Sequence, residues 1–377
     1  MLSARSYGVL FFCMLPALFL AGLWPFDFRP ENHVSILPNA GGVRFEVSST
    51  SLRSDPGGLL FTPAALAYPV GAAGQKGTSI EIRLMASSEF SSCLKRIVEF
   101  RDAAGAWAFS LGQWRSFFIA RAFIPDQPEG KPKREIGIRG ALEAGRESFV
   151  TVTSGPEGTT LYLDGNLIAQ NRDLRLLDET QTIEGASLYL GNSPDLACAW
   201  PGDIYGLALY SRVMSPSEVR ESFGRWEGAP SSCGDFPDAA AVASYRFGGS
   251  GGEIISDLSG AGNDLRMPSR LVFKREFLEP IQFRQFNLED VLLNVLGFMP
   301  LGLLWVRWVT GAFGWRPGKA VLTAVLCGFA ISLAIETAQV LLPSRVSSQM
   351  DVVCNTLGAL LGALGASVAR GRESGQP

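Results

Sequence analysis

Asn294, Glu336, Gln339 and Asn355 stand inside apolar stretches in the C-terminal quarter of the chain. Asp290 and Asp351 open two of those stretches. An ionised side chain at membrane depth costs on the order of 3 kcal/mol, so its presence points to binding, proton transfer or pairing. Gln339 follows Glu336 by three residues, and Ser332 precedes it by four, which puts all three on one helix face. Asp351, Asn355, Gly358 and Gly362 line a second face, and Gly358 and Gly362 form a GxxxG pattern that admits another helix closely. Together these faces describe a polar pocket between helices. Glu336 would act there as proton carrier or polar anchor, with Asn294, Gln339 and Asn355 as hydrogen-bond partners. Arg345 would pair a phosphate or carboxylate. Two states of Glu336 remain open: paired with Arg345 across a short loop, or neutral. The plainer alternative is polar glue, since membrane amides often only bond helix to helix, each for under about 2 kcal/mol.

These residues need spanning helices to position them. Residues 7–24 carry no charge and follow Arg5. They read as an uncleaved anchor with Trp24, Phe26 and Phe28 at the interface, or alternatively as a signal peptide cut after Gly22. Residues 288–309, 320–342 and 352–369 are each near the ~20 residues a bilayer requires. Arg5, Arg307, Arg316, Lys319, Arg370 and Arg372 then fall on one side, and only Arg345 lies in the opposite short loop. The positive-inside rule makes the richer side cytoplasmic, with tails 1–6 and 371–377 there and residues 29–280 outside. A third span ending at Leu342 leaves Glu336 about 9 Å below its outer end, at 1.5 Å per residue. The expected location is the inner membrane, multi-pass, with the middle region extracytoplasmic.

Composition removes several functions. A net charge of −3 gives no basic face for nucleic acid. A single histidine, His33, excludes a His-rich metal site and disfavours a Ser-His-Asp triad. Six cysteines include no CxxC. Cys13, Cys327 and Cys354 lie in apolar segments. Cys93, Cys198 and Cys233 lie in the middle region, where export would allow a Cys198–Cys233 bridge with one cysteine left over.

Between residues 29 and 280 the pattern changes to period-two alternation. Thr78–Leu84, Arg96–Phe100, Trp107–Leu111, Phe117–Ala122, Phe149–Thr153, Ser187–Leu190 and Ile204–Tyr210 read as strands, with Ala243–Phe247 and Arg270–Lys274 after them. Asp164-Gly165 supplies a type I′ hairpin turn. Ser215-Pro216-Ser217-Glu218 is a capping box opening a helix to about Phe223. Residues 229–241 read as a surface loop. Many short strands with Gly and Pro punctuation imply an all-β sandwich or jelly roll. The fold class expected is thus mixed: a four-helix membrane unit plus a β-sandwich. Trp107, Trp114 and Trp200 could stack on a sugar or fill the core. Asp164, Asn192 and Asp203 are oxygen ligands in type for a calcium ion, although no contiguous ligand loop joins them. No carboxylate pair of the glycosidase kind is visible.

The run LYLDGNLIAQ, SLYLGNSP and WPGDIYGLALYSRVMSPSEV resembles the closing half of a laminin-G-like, concanavalin A-like sandwich, with a core over residues 30–228. Residues 244–265 resemble the opening strand of such a domain; extra strands over 241–275 would close the same sandwich, the alternative being a vestige of a second copy. The resemblance implies binding of sugars or proteins, sometimes through calcium. Asp290-x3-Asn294-x2-Gly297-Phe298-x-Pro300-x-Gly302, Glu336-x2-Gln339, Arg345 and Asp351-x3-Asn355-x2-Gly358-x3-Gly362 resemble the VanZ-like membrane family over residues 286–370. WPFDF resembles that family's first helix, which makes the sandwich an insertion. The family takes its name from a protein associated with teicoplanin resistance, and the resemblance supplies no mechanism. Two readings follow. One is an envelope protein handling a lipid-linked glycan or glycopeptide, in contact with membrane lipid and envelope glycan. The other is a non-catalytic, membrane-anchored scaffold whose sandwich binds a polysaccharide or an envelope protein.

Overall fold

The computed structural model describes residues 2–47, 56–67, 77–102, 105, 107–122, 134–177, 183–228, 241–247, 252–272, 277–281, 288–342 and 344–374. The chain forms two compact units, Met1–Arg29 with Val272–Pro377, and Pro30–Leu271.

The second unit is the sandwich. Its strands are β1 (Val34–Leu37), β2 (Gly42–Phe45), β3 (Leu60–Phe61), β4 (Thr78–Ala86), β5 (Lys95–Arg101), β6 (Trp107–Trp114), β7 (Phe117–Ala122), β8 (Glu135–Ile138), β9 (Glu147–Gly155), β10 (Gly158–Leu163), β11 (Asn166–Asn171), β12 (Ser187–Leu190), β13 (Gly202–Tyr210), β14 (Ala241–Arg246), β15 (Ile254–Ile255) and β16 (Leu265–Arg266). One antiparallel sheet runs β1-β2-β13-β4-β9-β10-β11, with β14 also on β13. The other runs β15-β16-β3-β12-β5-β6-β7-β8. Alternation explains the core. Ile80, Ile82 and Leu84 of one sheet and Val98, Phe100, Phe109 and Leu111 of the other are fully buried in a single cluster. The segment after residue 240 serves both sheets, since β14 pairs β13 while β16 pairs β3. Arg270 makes an isolated bridge to Glu31 where a strand is expected over Arg270–Lys274; residues 273–274 lie outside the described set.

Local signals act as the residue types require. Asp164 and Gly165 both have positive φ, 50° and 74°, in the β10–β11 turn. In α2 (Pro216–Gly228) the Ser215 N–H donates to Glu218 Oε2 at 2.6 Å, and the Glu218 N–H to Ser215 Oγ at 3.4 Å. These bonds to Ser215 hold the Glu218 carboxyl below its usual pKa. The helix runs past Phe223 because Val219, Ser222 and Trp226 continue a buried face. Beneath it the Tyr210 hydroxyl and Trp226 Nε1 donate to Glu81, whose pKa burial pushes up.

Cys198 is bonded to Cys93, not to Cys233 as the sequence alone suggests; Cys233 lies outside the described residues. The Arg96 N–H donates to Cys198 O at 2.9 Å, and this bridge brings the start of β5 to the loop before β13 across 105 residues of chain.

The ends of the sandwich meet. Asn32 Nδ2 donates to Leu59 O and Pro268 O, at 2.9 and 2.8 Å, and the Leu271 N–H donates to Pro30 O at 2.9 Å. The unit therefore closes at Leu271 rather than near residue 280, and residues 277–281 pack with the helices instead.

The helical unit contains α1 (Ala4–Leu23), α3 (Leu288–Ala312), α4 (Pro317–Gln339) and α5 (Gln349–Ser374). All four are long and apolar enough to cross a membrane. α3 touches the other three, and α1 lies against α3 and α4. The third helix stops at Gln339, three residues before the apolar run ends. Leu342 bonds back to Gln339 O at 2.9 Å, and the next residue is a proline, which disfavours helix at the position before it.

Peptide mapping without reduction should yield a linked Cys93–Cys198 pair. Reduction should lower the sandwich's melting temperature, consistent with a loss of about 2–4 kcal/mol for a long-loop bridge. A Cys198–Cys233 peptide would contradict the arrangement.

Candidate functional site

The polar side chains collect at one end of the helical unit, where α1 and α4 finish and α3 and α5 begin. Glu336 sits in the last turn of α4 with 1% exposure. The Ser348 N–H donates to Glu336 Oε2 at 2.8 Å, and Ser347 also bonds this carboxylate. Ser347 is in turn fixed by the segment before α3. The Leu278 N–H donates to Ser347 Oγ at 3.1 Å, and the Glu279 N–H to Ser347 O at 2.8 Å. Gln339 reaches α1, where its Nε2 donates to Gly22 O at 2.9 Å. Asn355 reaches α4, where its Nδ2 donates to Ser332 Oγ at 2.9 Å. Asn294 of α3 bonds Asp351 of α5, and Asp290 is exposed one turn earlier, within electrostatic reach of Asp351.

Arg345 also has a role that its residue type does not announce. Its Nε and Nη2 donate to Trp24 O and Ala21 O, at 3.2 and 3.1 Å. The guanidinium thus caps carbonyls left open at the C-terminal end of α1, where a cation also meets the negative end of the helix dipole. Gln339 Oε1, Asn355 Oδ1 and Ser344 Oγ are buried and have no hydrogen-bond partner.

Gly358 and Gly362 face α3. A Cβ at Gly362 would overlap Met299 O, one at Gly358 would overlap Val295 O, and one at Gly302 would overlap Ala359 O. The α3 and α5 backbones are therefore in direct contact, which sets Asn294 beside Asp351. At the opposite end Phe11 lies against Trp305 and Trp308, and Lys319 stands 4.3 Å over the Trp315 ring.

The sandwich residues singled out as a glycan or calcium site do not converge. Trp200 is fully buried and its Nε1 donates to Gln113 Oε1 at 2.6 Å, so it fills the core. Trp114 is 38% exposed. The Trp107 side chain lies outside the described set. Asp203 is 1% exposed and takes both bonds of the Arg44 fork at 2.8 Å. Asn192 is buried and bonded to Pro56 O and the Ser193 N–H, and Asp164 accepts from the Phe149 N–H within its turn. These oxygens are committed to protein partners and do not fit a calcium ion. Among the described residues, no three His, Cys, Asp or Glu side chains gather as a metal would require.

Sequence reasoning missed Ser347, Ser348 and the α1 carbonyls, and it named Gly302 only within a motif, without its contact to α5. It also missed a charged cluster on β5, where the buried Glu99 bonds Arg101 and Arg96 at 2.6 and 3.1 Å. Burial pushes the Glu99 pKa up while both arginines oppose the shift.

The family comparisons agree with this division. Residues 254–370 match the VanZ/LLP1 family model, and residues 75–220 match that of the concanavalin A-like lectin/glucanases superfamily. The chain thus joins a helical C-terminal part that matches the VanZ/LLP1 model to a β-sandwich that matches the concanavalin A-like model, and the sandwich stands in sequence between α1 and α3. The first match starts within the last strands of the sandwich, before the helical unit resumes at Val272. Among solved structures, the chain is similar to the binding domain of botulinum neurotoxin DC in complex with rat synaptotagmin II. That likeness has TM-score 0.37 and 14% identity over 52% of this chain and 45% of that one, so under half of the toxin fragment is spanned. It is also similar to the heptameric SAP-like pentraxin from Limulus polyphemus, with TM-score 0.31 and 11% identity over 48% of this chain and 81% of that one. No curated protein matches the chain.

Gly362→Leu should separate α3 from α5 and lower the melting temperature of the detergent-solubilised protein by several degrees, the effect of a few kcal/mol of overpacking. Gly365→Leu, with open space at its Cβ, should leave it nearly unchanged. Equal effects would remove the backbone contact as the cause.

Proposed function

We propose that this is a cell-envelope protein of the cytoplasmic membrane. Its helical unit takes an amphiphilic substrate, a lipid-linked glycan or a glycopeptide, in a polar site open to the extracytoplasmic side, and its exported sandwich binds glycan. The observation that carries the reading is Glu336, a carboxylate with 1% exposure in an apolar helix, beside a Gln339 oxygen that lacks a partner. A carboxyl is a costly group to bury in an apolar helix for structural bonding alone, which favours a functional role for Glu336. Orientation is supported by Arg307, Arg316, Lys319 and Arg370 toward the opposite end, and by the Cys93–Cys198 bridge, which suits an oxidising compartment. For the sandwich, a cleft of about 570 Å³ bordered by His33, Arg44, Glu46 and Ser87 offers groups that bind hydroxyls.

A scaffold without a substrate is the second reading. It is favoured by the Gln339–Gly22 and Asn355–Ser332 bonds, each of which ties two helices. Glu336→Gln separates the two. It keeps shape and hydrogen bonding while losing the charge, so it should insert normally yet lose the lipid or glycan that copurifies with gently extracted wild-type protein, as read by mass spectrometry. Identical copurifying material, with full envelope function, would leave the scaffold reading.

Full-length protein in nanodiscs should bind a subset of a glycan array, and a calcium chelator should not alter the pattern. An array without signal would shift the sandwich's role to a protein partner.

A further inference from the structure

One face of α4 changes character along its length. Arg316, Lys319, Leu322, Leu326 and Phe329 recur at helical spacing and form one stripe. All five are exposed, the last three at 60%, 56% and 44%. Two cations therefore stand at the start of the helix, and an apolar lane runs from them toward its middle. Lys319 is held in place, since its Nζ lies 4.3 Å over the Trp315 ring. Trp315 continues into Phe313, with ring centroids 6.3 Å apart. A tryptophan at the end of a spanning helix sits at head-group level.

No nearby carboxylate answers these cations. The sequence holds no Asp or Glu before Asp27, between Asp290 and Glu336, or between Asp351 and Glu373. Arg5 adds to the charge. A Cβ at Gly311, at the end of α3, would meet Ala4 Cβ, so the first turn of α1 lies beside the same loop. Topology alone asks for positive charge at a cytoplasmic end. It does not ask that the charge be seated on an aromatic ring, nor that an exposed apolar lane continue from it.

We propose that this stripe binds an anionic phospholipid, with the phosphate between Arg316 and Lys319 and an acyl chain along Leu322, Leu326 and Phe329. A free phosphate has no use for the lane, and a zwitterionic lipid brings its own cation to the same place. The stripe begins at the opposite end of α4 from Glu336, so the inference stands apart from the amphiphile reading.

The test is native mass spectrometry of the delipidated full chain in detergent, given equal amounts of dioleoyl phosphatidylglycerol and dioleoyl phosphatidylcholine. The first lipid bound should be phosphatidylglycerol, with a preference of about thirtyfold, as two surface cations supply. Joint Arg316→Gln and Lys319→Gln should bring the preference close to unity, with the melting temperature in phosphatidylcholine micelles unchanged. Lys319→Gln alone should cost about fivefold, which keeps the test decisive if the double variant unfolds. Joint Arg370→Gln and Arg372→Gln, near the end of α5, should leave the preference near the wild-type value. Glycerol phosphate in excess should not displace the lipid. A wild-type preference under about threefold would overturn the proposal. So would a preference that the glutamine variants leave intact. An equal loss from the α5 pair would assign diffuse charge instead of the stripe, and displacement by glycerol phosphate would assign a free anion; either result overturns it as well.

Discussion

The backbone contact between α3 and α5 fixes the rest of the membrane unit. Gly302, Gly358 and Gly362 leave no side chain between the two helices, so the register of one against the other is set by main-chain atoms. That register puts Asn294 beside Asp351 and turns Asn355 toward Ser332 on α4. A side chain at any of the three glycines would move every polar group on α5 relative to its partners. Lipid offers no hydrophobic drive to restore the packing.

The unit is built around chain reversals as much as around helices. The loop between α4 and α5 supplies the N–H that meets Glu336, and the segment before α3 supplies the bonds that hold Ser347. Arg345 carries the same loop to the end of α1. Three separate stretches of sequence thus converge on one short loop, and the carboxylate's surroundings depend on all of them.

Much of the fold was legible because its signals are local. Period-two alternation gave Ile80, Ile82 and Leu84 an inward face, Asp164-Gly165 could only turn, and Ser215 with Glu218 announced a helix start. Helix ends were less legible, since composition continues to Leu342 while hydrogen bonding turns at Gln339. What could not be read is what depends on distant partners. Nothing near Cys198 names Cys93 over Cys233, because the choice is made by the strand that passes beside it. Nothing near Trp200 says whether it stacks on a ligand or fills a core, until Gln113 is found above its ring nitrogen. Arg345 is separated from Ala21 by 324 residues, so its type suggested an anion partner where the chain supplies carbonyls. The unsatisfied oxygens of Gln339 and Asn355 are likewise invisible to sequence, because lacking a partner is a property of the assembled neighbours.

The meeting of Pro30 and Leu271 has a topological consequence. A domain of 242 residues enters and leaves the helical unit at nearly one point. To the helices it is a hairpin loop, however large its contents. The entropic cost of closing that loop is met inside the sandwich by its own cohesion. Gain or loss of the whole domain would ask nothing new of the membrane core, since a few residues could bridge the same gap. The sandwich and the helical part can therefore diversify on separate clocks.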